Sequence, residues 1–115
     1  MPDITTALPS GVSTMEKVFE GDISGHSATL FTAAFDAARG VGTYIALEAF
    51  EGSLLDRHGT FNFVHAASTS GTDRTNEFFT IVPNSGTGAL TSIHGTGGMT
   101  VDADGTHHIR FDFDC

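Results

Sequence analysis

The stretch VDADGTHHIRFDF, residues 101–113, decides the fold class of this chain. Asp104-Gly105, between two runs of extended character, is the strongest signal in the chain for a two-residue β-hairpin turn. After this turn the side chains alternate, with His107, Ile109, Phe111 and Phe113 on one face and His108, Arg110 and Asp112 on the other. A period of two is that of a β-strand with one buried face, so the segment predicts an antiparallel hairpin.

The same pattern extends through the rest of the chain. Turn signals rich in Gly, Asn and Asp separate eight strand-like runs: about 15–24, 27–35, 42–54, 59–67, 76–83, 88–94, 97–102 and 106–113. The Ala-rich segment 27–39 is interpreted as a strand because Phe31, Ala33 and Phe35 follow a period of two and its neighbours are all strands. Short strands with frequent turns predict an all-β fold, an eight-stranded antiparallel barrel over residues 14–115. Residues 1–13 show no period and are expected to form a flexible N-terminal tail.

Composition excludes several classes of function. The 115 residues hold 5 Lys+Arg against 14 Asp+Glu, a net charge of −9, which disfavours nucleic acid and anionic membranes as partners. Cys115 is the single cysteine, so no internal disulfide is expected. The N-terminus has no secretory pattern and no apolar run reaches the roughly 20 residues of a membrane helix. We therefore expect a cytoplasmic protein.

Strand 42–54 differs from the others because both of its faces are apolar. Tyr44 and Phe50 share one face, and Ile45 and Leu47 the other. A strand that is buried on both faces needs a second covering surface. In a chain of this size a second copy is the simplest source of that surface, which predicts a homodimer.

Several segments resemble a bacterial family of unknown function whose members look like the allene oxide cyclase barrel. They are FEGDISG (19–25), GTYIALEAFEGSLLDRHGTFNFVH (42–65), IVPNSGTGAL (81–90), HGTGG (94–98) and VDADGTHHIRFDF (101–113). The resemblance spans about residues 14–113, and Asp56 stands where the pattern usually has Gly. It implies an eight-stranded, allene-oxide-cyclase-like barrel and oligomerisation, but no activity. Allene oxide cyclases enclose a hydrophobic substrate and steer its ring closure, which is an analogy of fold.

Glu48 and His65 are the candidate proton-transfer residues. If Glu48 points inward with Tyr44, it is a potential general acid or base; if Ile45 and Leu47 point inward instead, it is a solvated edge charge. His65 shares a face with Phe61 and Phe63 and could exchange protons near neutral pH. The simpler interpretation is a histidine at a strand end that binds a backbone carbonyl.

These residues suggest three classes of function. The first is a cofactor-independent isomerase or cyclase acting on a hydrophobic small molecule in the barrel lumen, with Glu48, His65 and Tyr44 as catalytic residues. The others are a non-catalytic barrel that binds a small molecule, and a structural oligomer whose lumen is filled. The predicted substrate-binding residues are Phe19, Phe31, Phe50, Phe61, Asn62, Phe63 and Phe111. No metal site is predicted, because His107 and His108, the only close pair among the six His, point to opposite faces of a strand.

Overall fold

The described part of the protein is an all-β structure of seven strands and one short 3-10 helix. The computed structural model describes residues 7–8, 10–71 and 73–115. The strands are β1 (Ser10–Phe19), β2 (Ile23–Asp36), β3 (Val41–Leu54), β4 (Arg57–Ser70), β5 (Asp73–Ile81), β6 (His94–Val101) and β7 (His107–Asp114), with the 3-10 helix η1 (Gly88–Leu90) between β5 and β6.

The strands form one antiparallel sheet in chain order, and this sheet curls into a half-barrel. Each strand pairs with its neighbours in sequence, so β1 and β7 are the two edges. The curl brings β7 back over β4, where Phe111 lies 5.4 Å from Phe61 and 5.1 Å from Phe63 between ring centroids. The prediction of an eight-stranded closed barrel is wrong: there are seven strands, and the sheet is open.

Segment 88–94 accounts for the missing strand. Leu90 and Ile93, three residues apart, are both buried, whereas a strand would place them on opposite faces. Hydrogen bonds from Leu90 N to Thr87 O and from Ile93 N to Leu90 O close tight turns instead. The segment therefore places two apolar side chains into the core without joining the sheet.

Two further boundaries differ from the sequence prediction. Strand β1 begins at Ser10, so residues 10–13 of the expected tail belong to the sheet, while residues 1–6 and 9 lie outside the described part. The Asp104-Gly105 turn is confirmed, with Gly105 at φ 87°, but the loop runs from Asp102 to Thr106 rather than two residues. No helix in the described segments is long and apolar enough to span a membrane.

The inner face of the sheet holds the core. Burial alternates along β3 and β4, with Ala46, Glu48 and Phe50 buried on β3. The buried cluster consists of Phe50, Leu54, Phe61, Phe63, Phe79, Ile81, Leu90 and Ile93. This settles the question of which face of β3 points inward. Ile45 and Leu47 lie on the outer face, 52% and 39% exposed.

Candidate functional site

A buried carboxylate lies at the centre of the inner face. Glu48 on β3 is 0% exposed, and Oε1 accepts a hydrogen bond of 2.6 Å from Ser27 Oγ on β2. Its Oε2 accepts one of 2.7 Å from Lys17 Nζ on β1. Buried charges in proteins are paired and hydrogen-bonded, and Glu48 satisfies both conditions. The carboxylate therefore joins three neighbouring strands.

These contacts keep Glu48 ionised. Burial by itself raises the pKa of this carboxyl group, but hydrogen bonds from His65, Lys17 and Ser27 and the charge of Lys17 outweigh that effect. The pKa falls to about 2, from the ordinary value of 4.5. Glu48 is therefore a fixed negative charge at neutral pH rather than a proton donor.

The register of β3 and β4 places a histidine between Glu48 and a tyrosine. His65 lies opposite Ala46, and is therefore diagonal to Glu48 on one side and to Tyr44 on the other. His65 Nε2 lies 2.5 Å from Glu48 Oε2, and Nδ1 lies 3.0 Å from the Tyr44 hydroxyl. Side chains thus engage both ring nitrogens, unlike the simpler interpretation of a backbone contact.

The ionised Glu48 carboxylate determines which group donates each hydrogen bond in the series Glu48–His65–Tyr44. Because Glu48 has no proton to donate, Nε2 of His65 carries the hydrogen and donates it. In the neutral ring Nδ1 is then the acceptor, and the Tyr44 hydroxyl donates to it. Carboxylate, imidazole and hydroxyl follow one another as in a catalytic triad, with the phenol in the place of the nucleophile.

An arginine lies at the outer end of this series. Arg74 on β5 is half-buried, donates a hydrogen bond from Nη2 to the Tyr44 oxygen, and has its guanidinium carbon 5.2 Å from the Tyr44 ring centroid. Asp73 precedes Arg74 in the sequence, but the described contacts of Arg74 are to Tyr44. The Tyr44 oxygen is therefore contacted by a guanidinium on one side and by the His65 imidazole on the other.

Aromatic rings pack on both sides of the hydrogen-bonded series Glu48–His65–Tyr44, which we call the relay. Phe79 stacks on His65 at 5.7 Å, and Phe31 stacks on Tyr44 at 5.5 Å between ring centroids. Beyond Phe31, an open groove of about 660 Å³ runs along β1 and β2 and is lined in part by Ala33 and Phe35. The half-buried Tyr44 thus stands where the packed core gives way to an open apolar groove.

The structure distributes the predicted site residues over three places. It brings Glu48, His65, Tyr44 and Phe31 together. Phe50, Phe61, Phe63 and Phe111 pack against one another, and Phe19 packs on Phe50 at 5.9 Å. Asn62 is not brought to the site: it faces outward, and its side chain donates to the backbone oxygen of Glu48 at 3.3 Å.

Sequence reasoning missed Lys17, Ser27 and Arg74. Counting back by twos from Phe19, which was expected to face inward, places Lys17 on the same face. Counting back from Phe31 does the same for Ser27. No such signal identifies Arg74, because the register of β4 and β5 shifts between Ala66 and Ser68. Among the described residues, no group of three or more His, Cys, Asp or Glu could hold a metal ion.

Comparison with known proteins identifies the family. Residues 2–113 match the family described as "Protein of unknown function (DUF3224)". The chain belongs to this family. A crystal structure of a DUF3224 protein of unknown function from Shewanella oneidensis MR-1 is similar to it, with a TM-score of 0.81 and 27% identity over 98% of this chain and 87% of that one. No curated protein matches the chain.

Proposed function

We propose that this DUF3224 protein is a cofactor-independent isomerase or cyclase that moves a proton on a hydrophobic small molecule. The observation that carries the proposal is the continuous Glu48–His65–Tyr44 series, with a buried carboxylate at one end and a half-buried phenol at the other. A buried hydrogen-bonded series of this kind lowers the stability of the fold unless every polar group in it has a hydrogen-bond partner. A carboxyl group with a strongly lowered pKa, here that of Glu48, is typical of functional sites, and Tyr44 stacks on the Phe31 ring that lines the apolar groove.

The proposed step uses Tyr44 as the group that exchanges a proton with the substrate. The Tyr44 oxygen takes a proton from a carbon next to a carbonyl, while the phenol proton moves to Nδ1 of His65. The imidazolium that forms is stabilised by the Glu48 carboxylate, and the substrate is left as an enolate. Return of the two protons, with the substrate protonated at another carbon, restores the protein and yields an isomer.

The substrate in this proposal lies at the groove end of the inner face. The other end of the inner face is filled by the packed side chains of Phe50, Phe61 and Phe63, whereas the groove past Phe31 has room for a small apolar molecule. A ring closure steered by shape, as in the allene oxide cyclases that the sequence resembles, would need the same apolar cradle. That resemblance remains a prediction from the sequence.

The test is isomerisation of a panel of β,γ-unsaturated ketones, followed by the ultraviolet absorbance of the conjugated product and by deuterium uptake from D2O. We expect Tyr44→Phe to lower the rate by about 10²- to 10⁴-fold, the usual contribution of a general base. The double variant Glu48→Gln/His65→Ala should lose turnover. His94→Ala is the matched control, because the side chain of this exposed histidine hydrogen-bonds only the nearby backbone oxygen of Ser92 in the described structure. Full activity in the double variant would rule out the relay.

A second candidate function is that of a structural homodimer, favoured by the outer face of β2 and β3. Leu30, Ile45 and Leu47 are 52%, 52% and 39% exposed and are close to one another, because Leu30 lies opposite Leu47 in the register. Exposed apolar patches of this kind mark interaction surfaces. Light scattering of the wild type and of Ile45→Lys tests it: a dimer that dissociates in the variant supports this function, and a monomeric wild type excludes it.

A further inference from the structure

Arg74 is a cation without a counter-ion in the described structure. Lys17 pairs with Glu48, Arg39 with Asp36 and Arg110 with Asp112, but within residues 7–8, 10–71 and 73–115 no carboxylate forms an ion pair with Arg74. Arg57 also has no ion pair there, but it is exposed, whereas Arg74 is half-buried. A half-buried guanidinium is normally placed where it binds an anion.

The hydrogen-bonding capacity of Arg74 is also incompletely used. Nη2 donates to the Tyr44 hydroxyl, whereas Nε is buried and has no acceptor. The fork of guanidinium N–H groups matches the two oxygens of a carboxylate, and an unmet donor of this kind points to an acceptor that the described part of the chain does not provide. The positive charge and the unmet donor lie on the same side chain.

We infer that Arg74 holds the carboxylate of a small apolar or aromatic acid, whose hydrocarbon body lies in the groove beside Phe31 and Phe35. This inference rests on the proposed function for the position of the substrate, and it adds the substrate's chemical class. The Phe31–Tyr44 stack links the two parts of the site, since Phe31 lines the groove while Tyr44 receives the Arg74 hydrogen bond. A carboxylate bound here lies beside the phenol oxygen of the relay.

The net charge of the protein makes this inference testable with a matched pair of probes. The overall field of a chain at −9 repels an anion, so tighter binding of an acid than of its neutral analogue requires a local cationic site. We choose 2-naphthoate and 2-naphthamide, which share the same ring system. The chain has no Trp, so naphthalene fluorescence polarisation reports binding directly.

We expect the wild type to bind 2-naphthoate at least about tenfold more tightly than 2-naphthamide, as for a hydrogen bond to a charged group. Arg74→Gln should abolish this preference, and Arg74→Lys should retain part of it by keeping the charge without the fork. Arg39→Gln is the control, because Arg39 is 83% exposed and pairs with Asp36 at the groove rim, so the same charge is lost without loss of the preference.

Equal affinities of the wild type for the two probes, or an undiminished preference in Arg74→Gln, would overturn the inference. The wild-type comparison decides the matter even if Arg74→Gln fails to fold, and Arg74→Lys then identifies the residue.

The proposed function fails separately. If ketone isomerisation is unaffected by Tyr44→Phe while the naphthoate preference stands, the site binds acids without catalysis. If isomerisation depends on Tyr44 but naphthoate is not preferred, the relay stands and the carboxylate site does not.

Discussion

The two ends of the inner face are built from the same strands but by different physics. At one end, Phe50, Phe61 and Phe63 fill the curl of the sheet with stacked and tilted rings, and the energy of that region is apolar burial. At the other end, Glu48 and His65 are equally buried, but they are held by charge and hydrogen bonds. The aromatic end therefore keeps the sheet curled, while the polar end depends on partners from three other strands.

The largest expected effect comes from breaking the aromatic end. Phe63→Ala should lower the free energy of unfolding by about 3–5 kcal/mol, because Phe63 is 0% exposed and contacts Phe61, Phe79 and Phe111. Urea unfolding measures this loss. Phe78→Ala is the matched control: Phe78 is 55% exposed, and its removal should cost less than about 1 kcal/mol. Equal losses in the two variants would contradict the assignment of the core.

The next effect comes from removing the cation at the polar end. Lys17→Met should lower the free energy of unfolding by about 3 kcal/mol, since it leaves the buried Glu48 carboxylate without its charged partner. The same substitution at Arg39, whose ion pair is exposed, should cost less than about 1 kcal/mol. If Lys17→Met is as stable as the wild type, Lys17 contributes no net stabilisation to Glu48.

Acid should weaken the polar end specifically. The pKa of Glu48 is lowered to about 2 from 4.5, so its contribution is fully present above about pH 4.5 and is lost as the pH falls through the folded value. By linkage this contribution is about 3 kcal/mol at pH 6 and about 1 kcal/mol at pH 3. The difference in unfolding free energy between wild type and Glu48→Gln should therefore shrink by about 2 kcal/mol between these pH values. A difference that stays constant would show that the Glu48 pKa is not lowered.

The smallest expected effect on stability lies where the polar end meets the groove. Tyr44→Phe removes the hydroxyl between His65 and Arg74 but keeps the ring that stacks on Phe31. We expect a loss of about 1 kcal/mol in urea unfolding, the usual net worth of a hydrogen bond. A small loss of stability together with a large loss of proton transfer would separate function from folding. A loss as large as that of Phe63→Ala would make Tyr44 a structural residue.

Much of the fold could be predicted from the sequence because alternation and turn residues act locally. Phe61, Phe63 and His65 share the inner face as predicted, and the Ala-rich segment 27–39 is strand as far as Asp36, with Phe31 and Phe35 on the same face. The number of strands could not be predicted in the same way. Leu90 and Ile93 also look like strand residues, but both side chains reach the core because the backbone between them forms a tight turn.

The sequence by itself therefore determined an all-β chain, the inner faces of most strands and the family to which it belongs. Only the tertiary structure decided which face of β3 is buried, because apolar residues occupy both of its faces and the local pattern is ambiguous. The tertiary structure also brought Lys17, 31 residues away in sequence, to Glu48 and placed Arg74 on Tyr44. Such contacts depend on the register between distant strands, and that register is determined by the packing of the whole sheet.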